Sequence, residues 1–144
     1  MKRYLGDGYE LDDDPARIDR EAVHRYLSEE SYWARGRSRA VSDTVIGEAA
    51  RVVGLYRGDE QVGFVRIVSD GHTVAYVADV YVLESHRGRG LGVELVRFAL
   101  EDGPIAGVTK WGLHTKDAHL LYERFGFAEP DGRYMERWNL PGDD

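Results

Sequence analysis

Cysteine is absent from all 144 residues, which excludes disulfides, thiolate metal sites and a cysteine nucleophile. Basic charge is in deficit: 19 lysines and arginines face 26 aspartates and glutamates, for a net charge of −7. That balance speaks against a nucleic-acid partner, whose phosphates need a basic surface. Long apolar runs are missing too, and the longest fall far short of the roughly 20 residues of a membrane helix. Residues 1–14 are polar and acidic, without the apolar segment of a signal peptide. No repeat, low-complexity tract or linker divides the chain. The expectation is one cytoplasmic domain over residues 1–144, with no nucleic-acid or membrane partner. Histidines do not stand near carboxylates at ligating spacing, so no metal is expected.

What the chain does have is a coarse pattern of elements. Residues 9–12 read as a short strand ended by the turn Asp12-Asp13-Asp14-Pro15. Ile18, Val23, Tyr26 and Leu27 recur at helical spacing, which predicts a helix over 19–30. Residues 31–38 have no period and read as a loop carrying two large aromatics. A second helix is expected from Ser42, as N-cap, to about residue 50. Strands over 51–57 and 61–69 form a hairpin around Gly58-Asp59-Glu60, and a long strand over 72–83 follows the turn Asp70-Gly71. Then come a helix over 92–100, a strand over 110–114, a helix over 117–125, and last strands at Phe127 and 134–138. The strands 72–83 and 110–114, separated by one helix, are expected to be parallel neighbours with a right-handed connection. The fold class is therefore mixed α/β: a mostly antiparallel sheet with one parallel strand–helix–strand crossover, flanked by helices.

The chemistry concentrates where the long strand meets the next helix, in Val80-Tyr-Val-Leu-Glu-Ser-His-Arg-Gly-Arg-Gly-Leu-Gly92. Glycines let a backbone approach a ligand and aim several N–H groups one way. The free amides of a helix start favour a phosphate, and Arg87 and Arg89 can add charge-assisted bonds. Two familiar phosphate loops fail. A dinucleotide fingerprint would need glycine where Val93 or Leu95 stands, and no Gly-Lys-Ser/Thr triplet occurs. What fits is the GNAT acetyltransferase superfamily. Arg87, Gly90 and Gly92 match its Arg/Gln-x-x-Gly-x-Gly/Ala motif, and Asp79-Val-Tyr-Val82 resembles its central strand. Leu121-Tyr-Glu-Arg-Phe-Gly-Phe127 resembles its second hallmark, so the resemblance covers roughly residues 53–137.

This resemblance implies the GNAT acyl-CoA N-acyltransferase fold, with acetyl-CoA as co-substrate. Its pantetheine arm would lie between the strands 76–82 and 110–114, which a bulge would splay apart. Tyr81 and Val82 would offer main-chain groups to it, and Arg87, Gly88, Arg89, Gly90, Leu91 and Gly92 would hold the diphosphate. Tyr122 takes the place of the family's general acid for the departing thiolate. Asp79, a carboxylate among apolar strand residues, is a candidate base for the amine, with a structural hydrogen bond as the alternative. Thr115 stands where many members carry a CoA-contacting asparagine, and serves either as that contact or as a helix cap. Tyr32 and Trp33 are candidates for the acceptor pocket, and His114 and His119 for cap or surface positions. The implied reaction is direct attack of a small-molecule or peptide amine on the thioester, by a chain expected to form a homodimer. A silent CoA-binding module and an acetyltransferase acting on protein lysines or N-termini are the alternatives.

Overall fold

The computed structural model describes residues 1–139; the last five residues of the expected domain lie outside the described residues. One six-stranded sheet runs in chain order: β1 (Lys2–Gly6), β2 (Tyr9–Asp12), β3 (Arg51–Arg57), β4 (Glu60–Ser69), β5 (Val74–Val82) and β6 (Lys110–Leu113). All neighbours are antiparallel except β5 and β6, the expected parallel pair. Helices α1 (Arg20–Glu29) and α2 (Arg39–Glu48) precede β3, α3 (Leu91–Glu101) forms the crossover, and α4 (His119–Glu123) follows β6. Among the described residues no helix is long and apolar enough to cross a membrane.

Helices cover both faces of the sheet, which is why β4 is apolar at almost every position. On one face Val23 and Leu27 of α1 and Ile46 of α2 pack against Val52, Phe64 and Tyr81. On the other, Leu95, Val96, Phe98 and Ala99 of α3 are fully buried against Val53, Leu55, Val65, Ile67 and Val77. The alternation of strand side chains thus sends Tyr81 toward α1 and its neighbours toward α3.

Three expectations need correction. A first hairpin strand, β1, was not foreseen: its side chains alternate between exposed and half-buried, so it carries no apolar stripe to read. Helix α2 begins earlier than Ser42, because Ser38 is the N-cap and accepts from the Val41 amide at 3.1 Å. Ser42 lies inside that helix, buried. The expected last strands are not strands: residues 128–139 carry no regular secondary structure and are exposed.

The site is set up by an irregularity in β5. Asp79 has φ 56, rare for a residue with a side chain. The register passes from Phe64↔Tyr81 to Arg66↔Ala78, so Val65 alone faces both Asp79 and Val80. This is a β-bulge, and it bends the strand away from its neighbour. The ladder to β6 accordingly ends at Val77↔Leu113, and the rest of β5 runs on without a strand partner on that side among the described residues. The two strands form a fork.

Candidate active site

Beyond the fork, the Leu83 amide donates to the Val62 carbonyl of β4. Alternation along the strand then turns the main-chain groups of Val82 to the open side, where its carbonyl accepts from Arg87 Nε at 2.9 Å. Tyr81 is different. Its main chain pairs with Phe64, and its carbonyl lies 3.0 Å from where a Cβ on Gly63 would sit. Of the two residues expected to offer backbone, the sheet already uses Tyr81 and leaves Val82 facing the gap. The Tyr81 ring instead stacks on Tyr26 of α1, with centroids 3.9 Å apart.

The chain then makes a short 3-10 turn over Glu84–His86 and enters α3 through two left-handed glycines, Gly88 (φ 80) and Gly90 (φ 76). Gly90 is the N-cap, and a glycine there brings no side chain to satisfy the helix start. No amide of residues 88–93 donates to a protein acceptor among the described residues. These unsatisfied N–H groups, the helix's positive end and the exposed Arg89 make a surface suited to an anion. Arg87 reaches back instead, to the Val82 carbonyl and to the Tyr26 hydroxyl at 3.0 Å.

A cleft of about 500 Å³ opens beside these amides. Its walls include Tyr32 and Trp33, Val80 to Val82, the glycine loop with Leu91 and Gly92, and Leu121 and Tyr122 of α4. The structure therefore gathers most of the residues singled out in the sequence around one space. Tyr122 is 8% exposed and packs edge-on against Phe127, at 5.9 Å between centroids. Burial, with Tyr32 and Asp117 adding to it, pushes its phenol up to about 12, so it is protonated at neutral pH. Thr115 is engaged elsewhere: its hydroxyl accepts from the Ala118 amide at 3.0 Å and steadies the start of α4.

Asp79 is 5% exposed and fully engaged. It accepts from Trp33 Nε1 at 2.9 Å, Arg37 Nη1 at 2.8 Å and Arg66 Nε at 2.8 Å. Burial alone would raise its pKa, but the two guanidiniums overcome this and hold it below the ordinary carboxylate value. Such a group takes up a proton poorly. Its geometry ties residues 31–38 to the bulge, and Trp33 and Tyr32 thereby become a wall of the cleft. Tyr32 also crosses to the far side, where its hydroxyl accepts from the Lys116 amide at 3.0 Å.

Comparison with known proteins agrees with this geometry. The model of the acetyltransferase (GNAT) family matches residues 10–127. The chain belongs to the GNAT acetyltransferase family. Among solved GNAT structures, an acetyltransferase of Xanthomonas campestris pv. campestris is 34% identical with a TM-score of 0.86, covering 93% of this chain and 94% of that one. A mycothiol acetyltransferase of Corynebacterium efficiens is 30% identical over 75% of this chain and 42% of its own length. An acetyltransferase of Gibberella zeae is 30% identical over 67% of this chain and 66% of its own length. The chain thus spans less than two thirds of either curated relative. GNAT members use acetyl-CoA as co-substrate, and the uncapped amides at the start of α3 fit a diphosphate.

Sequence reasoning missed the partners of Asp79 in this GNAT domain. Arg66 was a legible signal, being the one charge within the apolar run Val62-Gly-Phe-Val-Arg-Ile-Val68. A buried carboxylate in one strand calls for such a cation in a neighbour. Arg37 had no comparable signal, because it comes from a loop without period.

Proposed function

We propose that this chain transfers the acetyl group of acetyl-CoA to a primary amine of a small molecule or peptide by direct attack. The observation that carries this reading is that unsatisfied amides at the start of α3 and the protonated phenol of Tyr122 face one cleft. Residues 88–92 bind the diphosphate, the Val82 main chain pairs with the pantetheine arm as an added strand, and Tyr122 protonates the thiolate. The Tyr32 bridge to Lys116 narrows the acceptor side, which favours a small acceptor over a folded protein surface. Asp79 positions the acceptor wall. A homodimer in the cytoplasm is the proposed setting, since two-fold pairs are the commonest assemblies.

The deciding experiment is an amine panel with acetyl-CoA, read as free thiol released; absence of transfer with every amine overturns the proposal. Cofactor binding is separable from this. CoA at about a hundredfold excess over its dissociation constant raises stability by about 2.7 kcal/mol, seen as a thermal shift. Gly90→Val tests the diphosphate loop. A Cβ at Gly90 meets nothing within 4 Å, so packing of the protein is not the obstacle. The left-handed backbone costs a branched residue about 1–2 kcal/mol or more, and relaxing it turns the amides away. CoA affinity by calorimetry is expected to fall about tenfold or more, since each 1.4 kcal/mol is tenfold.

A further inference from the structure

We infer that Tyr76, His114 and Glu136 form a proton relay that deprotonates the acceptor amine at the fork between β5 and β6. The inference rests on the acetyl-transfer reading of the cleft and adds to it a site for the amine's proton. Its basis is position. The β5–β6 ladder pairs Tyr76 with Gly112 and ends at Val77↔Leu113, so His114 is the first residue past the fork. Ala75 and Val77 point into the core under α3, which leaves Tyr76 on the opposite face. That is the face on which Asp79 holds Trp33 and the acceptor wall.

The three side chains are joined in series. Tyr76 Oη lies 2.5 Å from His114 Nδ1, and His114 Nε2 lies 2.9 Å from Glu136 Oε2. Glu136 also accepts from Trp138 Nε1 at 3.1 Å and from the Tyr134 hydroxyl at 3.3 Å. Trp138, then His114, keep its pKa below the ordinary value, so it is an anion. Burial raises the pKa of Tyr76, with Tyr134, Glu136 and Asp79 adding and Arg66 opposing. One arrangement of protons satisfies all of this: the Tyr76 hydroxyl donates to Nδ1, and Nε2–H donates to Glu136. These are the charged and titratable groups around the relay. Lys116, two residues on, turns to the Tyr32 ring instead.

The step balances as follows. The acceptor ammonium gives a proton to Tyr76 Oη while the Tyr76 proton passes to His114 Nδ1. The imidazolium is held beside the Glu136 carboxylate, and its half-exposed ring returns the proton to water. The freed lone pair forms the C–N bond and the C–S bond breaks. The CoA thiolate takes the proton of Tyr122, and the second proton leaving nitrogen restores Tyr122 through water. Net, one proton reaches solvent. Tyr76 is the group that touches substrate, while His114 and Glu136 act through it.

The test measures transfer from acetyl-CoA to ethanolamine, spermidine and lysine, from mildly acid to alkaline pH. It compares the unaltered protein with Tyr76→Phe, His114→Gln and Glu136→Gln, all checked for thermal unfolding. On the best of these amines, Tyr76→Phe and His114→Gln are expected to lower kcat about 10²-fold and to move its decline toward acid pH upward, toward the range in which the amine loses its proton unaided. KM for acetyl-CoA stays unchanged. Glu136→Gln keeps an acceptor for His114 Nε2 but removes its charge, and is expected to lower kcat less than either of the other two. A reduced kcat with an unchanged pH profile in all three variants overturns the relay and leaves the cluster as a clasp for residues 128–139. If the unaltered protein binds CoA but acetylates none of the amines, the transfer reading falls, and the relay with it.

Discussion

Tyr122→Phe is expected to reduce kcat about 10²–10⁴-fold while acetyl-CoA affinity changes by no more than about twofold. Phenylalanine keeps the ring that packs against Phe127, so the cleft retains its shape. What disappears is a single hydroxyl proton. That proton is held firmly in the resting protein, since burial lifts the phenol to about 12. In the proposed transfer it is therefore available when the C–S bond breaks and the thiolate appears. A loss confined to kcat means the group acts in the transition state; an equal loss in cofactor binding would mean it is a binding wall. Steady-state kinetics with calorimetry of CoA binding separates the two.

Asp79→Ala has the second large effect, and it falls on stability first. Two guanidiniums and an indole N–H lose their common acceptor, and the Arg66 side chain is only 13% exposed. Removing one partner of a buried pair costs about 3–5 kcal/mol. Arg37, at 20% exposure, recovers part of that through water, so about 2–4 kcal/mol is expected by denaturant unfolding. Alanine also tolerates the left-handed backbone less well than aspartate. Asp79→Asn separates charge from shape. The folded-state pKa of Asp79 lies below its ordinary value, so its contribution is fully present above that value and is lost as pH falls through the folded one. The unaltered protein should therefore lose stability on acidification more steeply than Asp79→Asn. Parallel acid profiles would remove Asp79 from the account.

Much of this was legible in the sequence because the relevant signals are local. The glycines, arginines and helix start of residues 87–92 sit next to one another, and β4, β5, α3 and β6 each stand out within their own short stretch of sequence, β4 as an apolar run and α3 by its period. The parallel pair followed from one helix between two strands. Less local features were not legible. Strand β1 belongs to an exposed edge and buries no stripe. Residues 134–138 carry two strand-favouring aromatics, Tyr134 and Trp138, but have no partner among the described strands, and propensity alone does not supply one. Asp79 drew notice as an isolated charge. Whether it takes a proton or holds a loop depended on Arg37 and Trp33, more than 40 residues away, which only the fold brings to it.

The extra residue at Asp79 leaves the faces of the sheet unchanged on either side of it. Arg66 pairs with Ala78 and Phe64 with Tyr81, so a deletion at Asp79 would let Val65 face Val80 alone and leave Tyr81 opposite Phe64, still stacked on Tyr26. What the deletion would remove is the bend that parts β5 from β6, together with the carboxylate that gathers Trp33, Arg37 and Arg66. One inserted residue thus couples two things that a regular strand would have to obtain separately: an open seam in the sheet and an anchor for the loop beside it.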